Sequence, residues 1–135
     1  MNNFTLEKDI TLMYVTATSF PEGVMAAHQQ LHATIAFNNE RKYYGISYPD
    51  QTGNIIYKAA AEEMYAGEAA EKELETFLVR KGEYASITVA NYMNEKAAIG
   101  ESFQKLLMHP QLDPRGFCLE WYLSKTDVQC MVPLK

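Results

Sequence analysis

Short runs along the chain alternate apolar and polar residues with period two, and two longer runs repeat near 3.6. Residues 10–16 (ITLMYVT), rich in β-branched and aromatic types, predict a strand. Phe20-Pro21-Glu22 follows, with proline where the first turn of a helix tolerates it. Val24, Ala27, Leu31 and Ile35 keep helical spacing, which predicts a helix to about Phe37, ended by Asn38 and Asn39. Residues 43–48 (YYGISY) predict a second strand. Pro49-Asp50-Gln51-Thr52-Gly53 has turn chemistry, and residues 54–61 (NIIYKAAA) predict the return strand.

The same order then recurs. Residues 83–90 (EYASITVA) predict a strand. Asn94 can cap a helix that carries Ala98, Ile99, Phe103 and Leu106 on one face. Pro110, Asp113, Pro114 and Gly116 break the chain, and residues 117–123 (FCLEWYL) and 128–134 predict a final pair of strands around a turn at 124–127. Two strand-helix-strand-strand halves, about 9–62 and 82–135, predict a single α+β domain with antiparallel sheets and helices on one side. Aligned, Val24 meets Ile99, Leu31 meets Leu106, Gly45 meets Glu120 and Ile56 meets Met131, so the halves share a pattern and almost no identity. Between them, 63–81 is acidic and reads as a solvated connector. Part of it could be a short helix and part an extended run ending in Phe77-Leu78-Val79.

Composition narrows the function. The 135 residues suit one domain whose core needs no disulfide or metal. Twelve Lys and Arg against 17 Asp and Glu give a net charge of -5, with no basic cluster to neutralise phosphates. Direct nucleic-acid binding and attachment to an anionic membrane are therefore not expected, and cationic ligands are mildly favoured. The first ten residues lack the apolar core of a signal peptide, and Cys118 and Cys130 make no disulfide framework, so a reducing, cytoplasmic setting is the expectation.

The run 117–123 carries the most chemical information. Phe117, Leu119, Trp121 and Leu123 share one face, which reads as the side under a helix, and Cys118, Glu120 and Tyr122 share the other. On a solvated face Glu120 is ordinary. Lining a cleft, its carboxylate is desolvated and would attract a cation or act on a proton. A four-residue turn at 124–127 sets Glu120 opposite Met131. With Ile87 and Val89 taken as core, Tyr84 also joins the Glu120 face. The same logic brings Tyr14 and Tyr43 there, with Gly45 opening space opposite Glu120. Tyrosines around one acid suit a flat or cationic molecule.

Weaker signals remain. His28 and His32 stand at i and i+4, a spacing that can hold a metal, but Gln29-Gln30 lacks the glutamate of the metalloprotease motif and no third ligand follows. Ser102-Phe103-Gln104-Lys105 matches S-x-x-K without its partner motifs. No glycine-rich phosphate loop is present, so neither a metal nor a cofactor is expected.

The chain resembles the GyrI-like small-molecule-binding domain, the effector-binding part of several bacterial transcription regulators and a relative of the SOUL proteins. The resemblance lies in Gly82-Glu83-Tyr84-Ala85, in Leu112-Asp113-Pro114 ahead of Cys118-Leu119-Glu120-Trp121-Tyr122, in Met131-Val132-Pro133-Leu134, and in Tyr57-Lys58-Ala59-Ala60-Ala61. It implies a ligand cleft between the halves and a pocket glutamate at Glu120. Related regulators meet cationic lipophilic drugs with that residue, whereas some stand-alone relatives hydrolyse cyclopropyl compounds with a glutamate and aromatic partners. Ten residues before the first strand are too few for a helix-turn-helix, so any transcriptional role is expected to be indirect. Haem, known in the SOUL relatives, would need an axial ligand that the sequence does not place.

Three readings follow. The first is a binder of a hydrophobic or cationic aromatic molecule, with Glu120 as charge complement and Tyr14, Tyr43, Tyr84, Trp121, Tyr122 and Met131 as walls. Alternation sets Trp121 on the face away from Glu120. The second is a hydrolase using Glu120 as general base. The third is an inhibitor-like protein that binds a macromolecular partner. A homodimer is compatible with all three.

Overall fold

The period-two runs form one antiparallel sheet in the computed structural model, which describes residues 1–135 apart from the side chain of Lys96. The elements are β1 (Asn2–Leu6), β2 (Ile10–Thr16), α1 (Val24–Thr34), β3 (Tyr43–Pro49), β4 (Ile55–Glu62), α2 (Glu68–Glu71), β5 (Glu75–Val79), β6 (Gly82–Val89), α3 (Lys96–Leu106), β7 (Cys118–Tyr122) and β8 (Val128–Pro133). The strand order is β1-β6-β8-β7-β3-β4-β2-β5. Within it β2-α1-β3-β4 and β6-α3-β7-β8 repeat the predicted halves, joined through β3 and β7.

The sheet curls on itself. Phe77 on β5 meets Phe117 beside β7 edge to face at 5.0 Å, although three strands separate β5 from β7 in the sheet order. Phe4 on β1 reaches Trp121 on β7 at 6.0 Å, and Lys81 N–H donates to Asp9 Oδ1 at 2.8 Å to tie the two sheet ends. The inner face of the curl buries Leu12, Tyr44, Ile46, Ala60, Val79, Tyr84, Leu119 and Met131. Both long helices lie on the outer face. There Ala27 and Leu31 of α1, with Ile35 just after it, pack onto Met13, Val15, Tyr57, Ala59 and Ala61. Similarly, α3 packs Phe103 and Leu106 onto Ala85, Val128, Cys130 and Val132. Small alanines along β4 let α1 approach closely.

Several expectations change. Residues 63–81 are not a solvated linker: β5 pairs with β2, and Glu68 is buried in an ion pair with Arg41. The segment before β2 contains β1, which pairs with β6. Each edge strand thus precedes one half in sequence and pairs with the other. Helix α1 starts at Val24 rather than at Pro21 and stops at Thr34, because Ile35 is already extended. Helix α3 is preceded by Glu95, not capped by Asn94. No helix is long and apolar enough to cross a membrane among the described residues.

The facing of β7 is also reversed from the expectation. Leu119 and Trp121 look into the curl, whereas Cys118, Glu120 and Tyr122 lie on the helix side. The β7–β8 loop holds five residues, 123–127, rather than four, so Tyr122 pairs with Val128 and Glu120 with Cys130. That one-residue slip moves Met131 to the face away from Glu120.

Candidate functional site

Glu120 sits in the middle of β7, opposite Gly45 on β3 and Cys130 on β8. On the helix side, where the two halves meet, Tyr122 Oη donates to Glu120 Oε1. Tyr57 Oη lies 3.4 Å from the same oxygen and 3.0 Å from Tyr122 Oη. Tyr57 comes from β4 and reaches Glu120 by crossing over β3 at Gly45. A Cβ on residue 45 would stand 2.1 Å from Tyr57 Oη and 3.0 Å from Glu120 Oε1, so glycine here is a condition for the contact. Tyr57 is otherwise locked by α1, whose His28 Nε2 lies 2.8 Å from the phenol oxygen.

A cleft of about 750 Å³ opens above this cluster. His28, His32 and Met25 of α1 form one wall, and Tyr92, Met93, Leu123 and Lys125 from second-half loops form the other. Tyr43 and Tyr122, register partners on the central pair of strands, contribute from the sheet. Phe37 stacks on Tyr43 at 5.4 Å with an 8° interplanar angle, and His32 packs against both rings. Tyr92 lies 5.8 Å from Tyr122. Glu120 is thus one hydrogen bond behind a cleft-lining ring.

The electrostatics follow from this enclosure. Burial raises the Glu120 carboxyl above the usual carboxylate range, although the two phenols pull it back by donating hydrogen bonds. Burial, with the Glu120 charge next, raises the phenols of Tyr57, Tyr122 and Tyr92, so all three stay protonated. Burial pushes the Cys118 thiol up to about 11, with Glu120 adding to the rise, which makes it a poor nucleophile. Burial also lowers His28 to about 4, so its ring is neutral at ordinary pH. Among the described residues the one ion pair is Arg41–Glu68, and no cation lies within salt-bridge distance of Glu120.

The sequence-predicted residues divide between the two faces. Glu120, Tyr122 and Tyr43 meet at the cleft. Tyr14, Tyr84, Trp121 and Met131 are on the inner face and are not brought to it. Tyr14 donates to Glu75 at 2.9 Å, and Lys58 Nζ sits over its ring at 4.3 Å. Tyr84 is buried and donates to the Arg80 carbonyl at 2.7 Å. Trp121 packs between Phe4 and Tyr44 with Lys42 over its ring. Tyr57, His28 and Tyr92 complete the cluster and were not singled out from sequence as its members. The available signal was Gly45: a glycine inside a strand, facing a lone acid, marks a place where another group approaches closely. Among the described residues no group of three His, Cys, Asp or Glu could hold a metal.

No family model matches the chain, and no curated protein matches it in sequence. Solved structures do match its fold. The protein SAV2435, solved bound to tetraphenylphosphonium, superposes with a TM-score of 0.70 at 13% identity, covering 99% of this chain and 93% of that one. An integron cassette protein from the mobile metagenome of Vibrio cholerae gives 0.64 at 14% identity, with 100% and 92% covered. A hydrolase from Listeria innocua gives 0.63 at 10% identity, with 99% and 90% covered. The fold is therefore one found in other solved chains of similar length.

Proposed function

We propose that the chain is a GyrI-like small-molecule-binding domain that takes a lipophilic aromatic cation in the cleft between its halves. The observation that carries this reading is Glu120: a desolvated carboxylate with phenols as its donors and, among the described residues, no cation within salt-bridge distance. A buried charge without a counter-ion is costly, and a ligand cation relieves that cost. Tyr122, Tyr43, Tyr92 and Phe37 line the cleft with aromatic rings, whose faces attract a cation. A phenol donating to a carboxylate is more electron-rich, which strengthens that attraction. For a cation about 7 Å from the carboxylate, an effective dielectric near 20 gives an attraction of about 2 kcal/mol. The cleft volume suits a drug-sized molecule. The fold neighbour bound to tetraphenylphosphonium supports the same class of ligand.

Titration calorimetry with tetraphenylphosphonium at neutral pH tests the reading. Saturable binding of one cation per chain is expected, with neutral triphenylphosphine oxide much weaker. Equal affinity for the two, or binding of the oxide alone, would overturn it.

A second reading is hydrolysis of an electrophilic cyclopropyl-type compound, with Glu120 as general base on water. It is favoured by the upward shift of the Glu120 carboxyl, which moves it toward the range where a base is effective. The hydrolase among the fold neighbours is compatible with it. Product formation seen by mass spectrometry with wild type and lost in Glu120→Gln would establish turnover. An unchanged compound with both proteins would leave binding as the function.

A further inference from the structure

Glu120, Tyr122, Tyr57 and His28 form a hydrogen-bonded chain from the part-buried carboxylate to the cleft wall. Its links are Glu120 Oε1 to Tyr122 Oη, Tyr122 Oη to Tyr57 Oη at 3.0 Å, and Tyr57 Oη to His28 Nε2 at 2.8 Å; the longer contact of Tyr57 Oη with Glu120 Oε1, at 3.4 Å, shares the Tyr57 proton with the middle link. Three links need three protons. The two phenols supply one each. The third comes from one of the two ends: His28 Nε2–H when Glu120 is ionised, or the Glu120 carboxyl proton when it is neutral. With the carboxyl proton on Oε1, an Nε2–H on His28 would put four protons on three links; with Glu120 ionised, an Nδ1–H would leave one link without a proton, inside a site where an unmade bond is expensive.

From this inventory we infer that His28 is a positioning residue whose ring tautomer is set by the charge of Glu120 through Tyr57 and Tyr122. The chain is also the proton path between that carboxylate and the cleft. When Glu120 ionises, its proton passes to Tyr122 Oη, the Tyr122 proton to Tyr57 Oη, and the Tyr57 proton to His28 Nε2. The His28 Nδ1 proton then leaves to water, so one proton is released and every link reverses direction. A cation entering the cleft would drive this step, and part-buried His28, which lines the cleft, is the exit.

The groups around the chain do not compete for its protons. On α1, His32 faces His28 and its charge disfavours protonating it. Tyr92 flanks Tyr122 from the loop after β6, and Cys118 and Cys130 flank Glu120 from β7 and β8. All three are held protonated. Glu22 and Lys125 line the cleft mouth. Because Glu120 is raised and His28 is lowered, acidification protonates the carboxylate while the imidazole is still neutral, which opens a pH window for the swap.

The test uses the full chain with ¹⁵N-labelled histidine rings and a ¹³C-labelled Glu120 carboxyl, followed by NMR from pH 8 down to 4. His28 is expected as the Nε2–H tautomer at high pH and as Nδ1–H once Glu120 is protonated, both changes sharing one midpoint. His32 and His109 should not follow that midpoint. Tyr57→Phe cuts the chain, so Glu120 should titrate without moving the His28 tautomer. Glu120→Gln, which removes the titrating proton, should leave the His28 tautomer constant over the same range and serves the same end if the first variant does not fold. A His28 tautomer that stays constant through the Glu120 titration overturns the inference, as does a swap that survives both variants. Adding tetraphenylphosphonium below the Glu120 midpoint should return His28 to Nε2–H. If the pH swap is seen but this cation does nothing, the relay stands and the ligand reading fails.

Discussion

Two glutamates of this protein, Glu68 buried and Glu120 part-buried, have opposite surroundings. Glu68 is 2% exposed and lies against Arg41, whose Nη1 and Nη2 reach its two oxygens at 2.9 and 2.8 Å, with the Met64 N–H as a further donor. That pairing holds its carboxyl below the usual range. Glu120 receives phenols alone, and its carboxyl is pushed up. The first is a finished contact that pins α2 to the start of β3. The second is desolvated and, among the described residues, has no cation partner, which a fold tolerates where a ligand completes it. Burial of an acid does not by itself mark a site; burial without a counter-ion, beside a cleft, does.

Removing one partner should separate the two. Arg41→Ala leaves Glu68 buried and unpaired, and an expected loss of about 3–5 kcal/mol in urea denaturation would mark the pair as structural. Gly45→Ala drives a Cβ into the Tyr57 phenol, with an expected cost of about 1–3 kcal/mol and displacement of that ring from Glu120. Glu120→Gln has the opposite sign. The folded carboxyl is raised above its unfolded value, so its charged form is disfavoured by folding. The penalty is absent below the ordinary carboxylate range near 4.3 and grows as pH rises through the folded value. The variant should match wild type at acidic pH and exceed its stability increasingly toward neutral pH; the reverse trend would show that the charge is welcome in the free protein. Tyr14→Phe, on the inner face, should change stability by less than about 0.5 kcal/mol and leave cation affinity untouched. A loss of affinity there would place the ligand inside the curl.

The sequence made the repeated strand-helix-strand-strand order legible, because Val24, Leu31, Ile99 and Leu106 keep helical spacing between alternating runs. The importance of Glu120 was also legible, since a charge stands out among the apolar neighbours of β7. The edge strands were not. Asn2–Leu6 and Glu75–Val79 carry polar or charged residues suited to an exposed edge, and each pairs with the opposite half, which local patterning does not encode. The wall residues failed for a different reason. Period two makes a face assignment hostage to a single choice: the 123–127 loop, one residue longer than expected, misplaces Met131, and reading the Leu119 face of β7 as the side under a helix misplaces Tyr14 and Tyr84. Tyr57 needed three-dimensional information, because it reaches Glu120 across an intervening strand.

The central claim is that Glu120 gives the cleft a preference for positive charge. Tetraphenylphosphonium and tetraphenylborate have nearly the same shape and opposite charge, so thermal unfolding of wild type and Glu120→Gln with each ion isolates that preference. At one hundred times its dissociation constant a ligand adds about 2.7 kcal/mol to stability. The account predicts a shift of that order for wild type with the cation, little with the anion, and loss of the difference in the variant. Equal shifts from both ions, or a cation preference that survives Glu120→Gln, would contradict it.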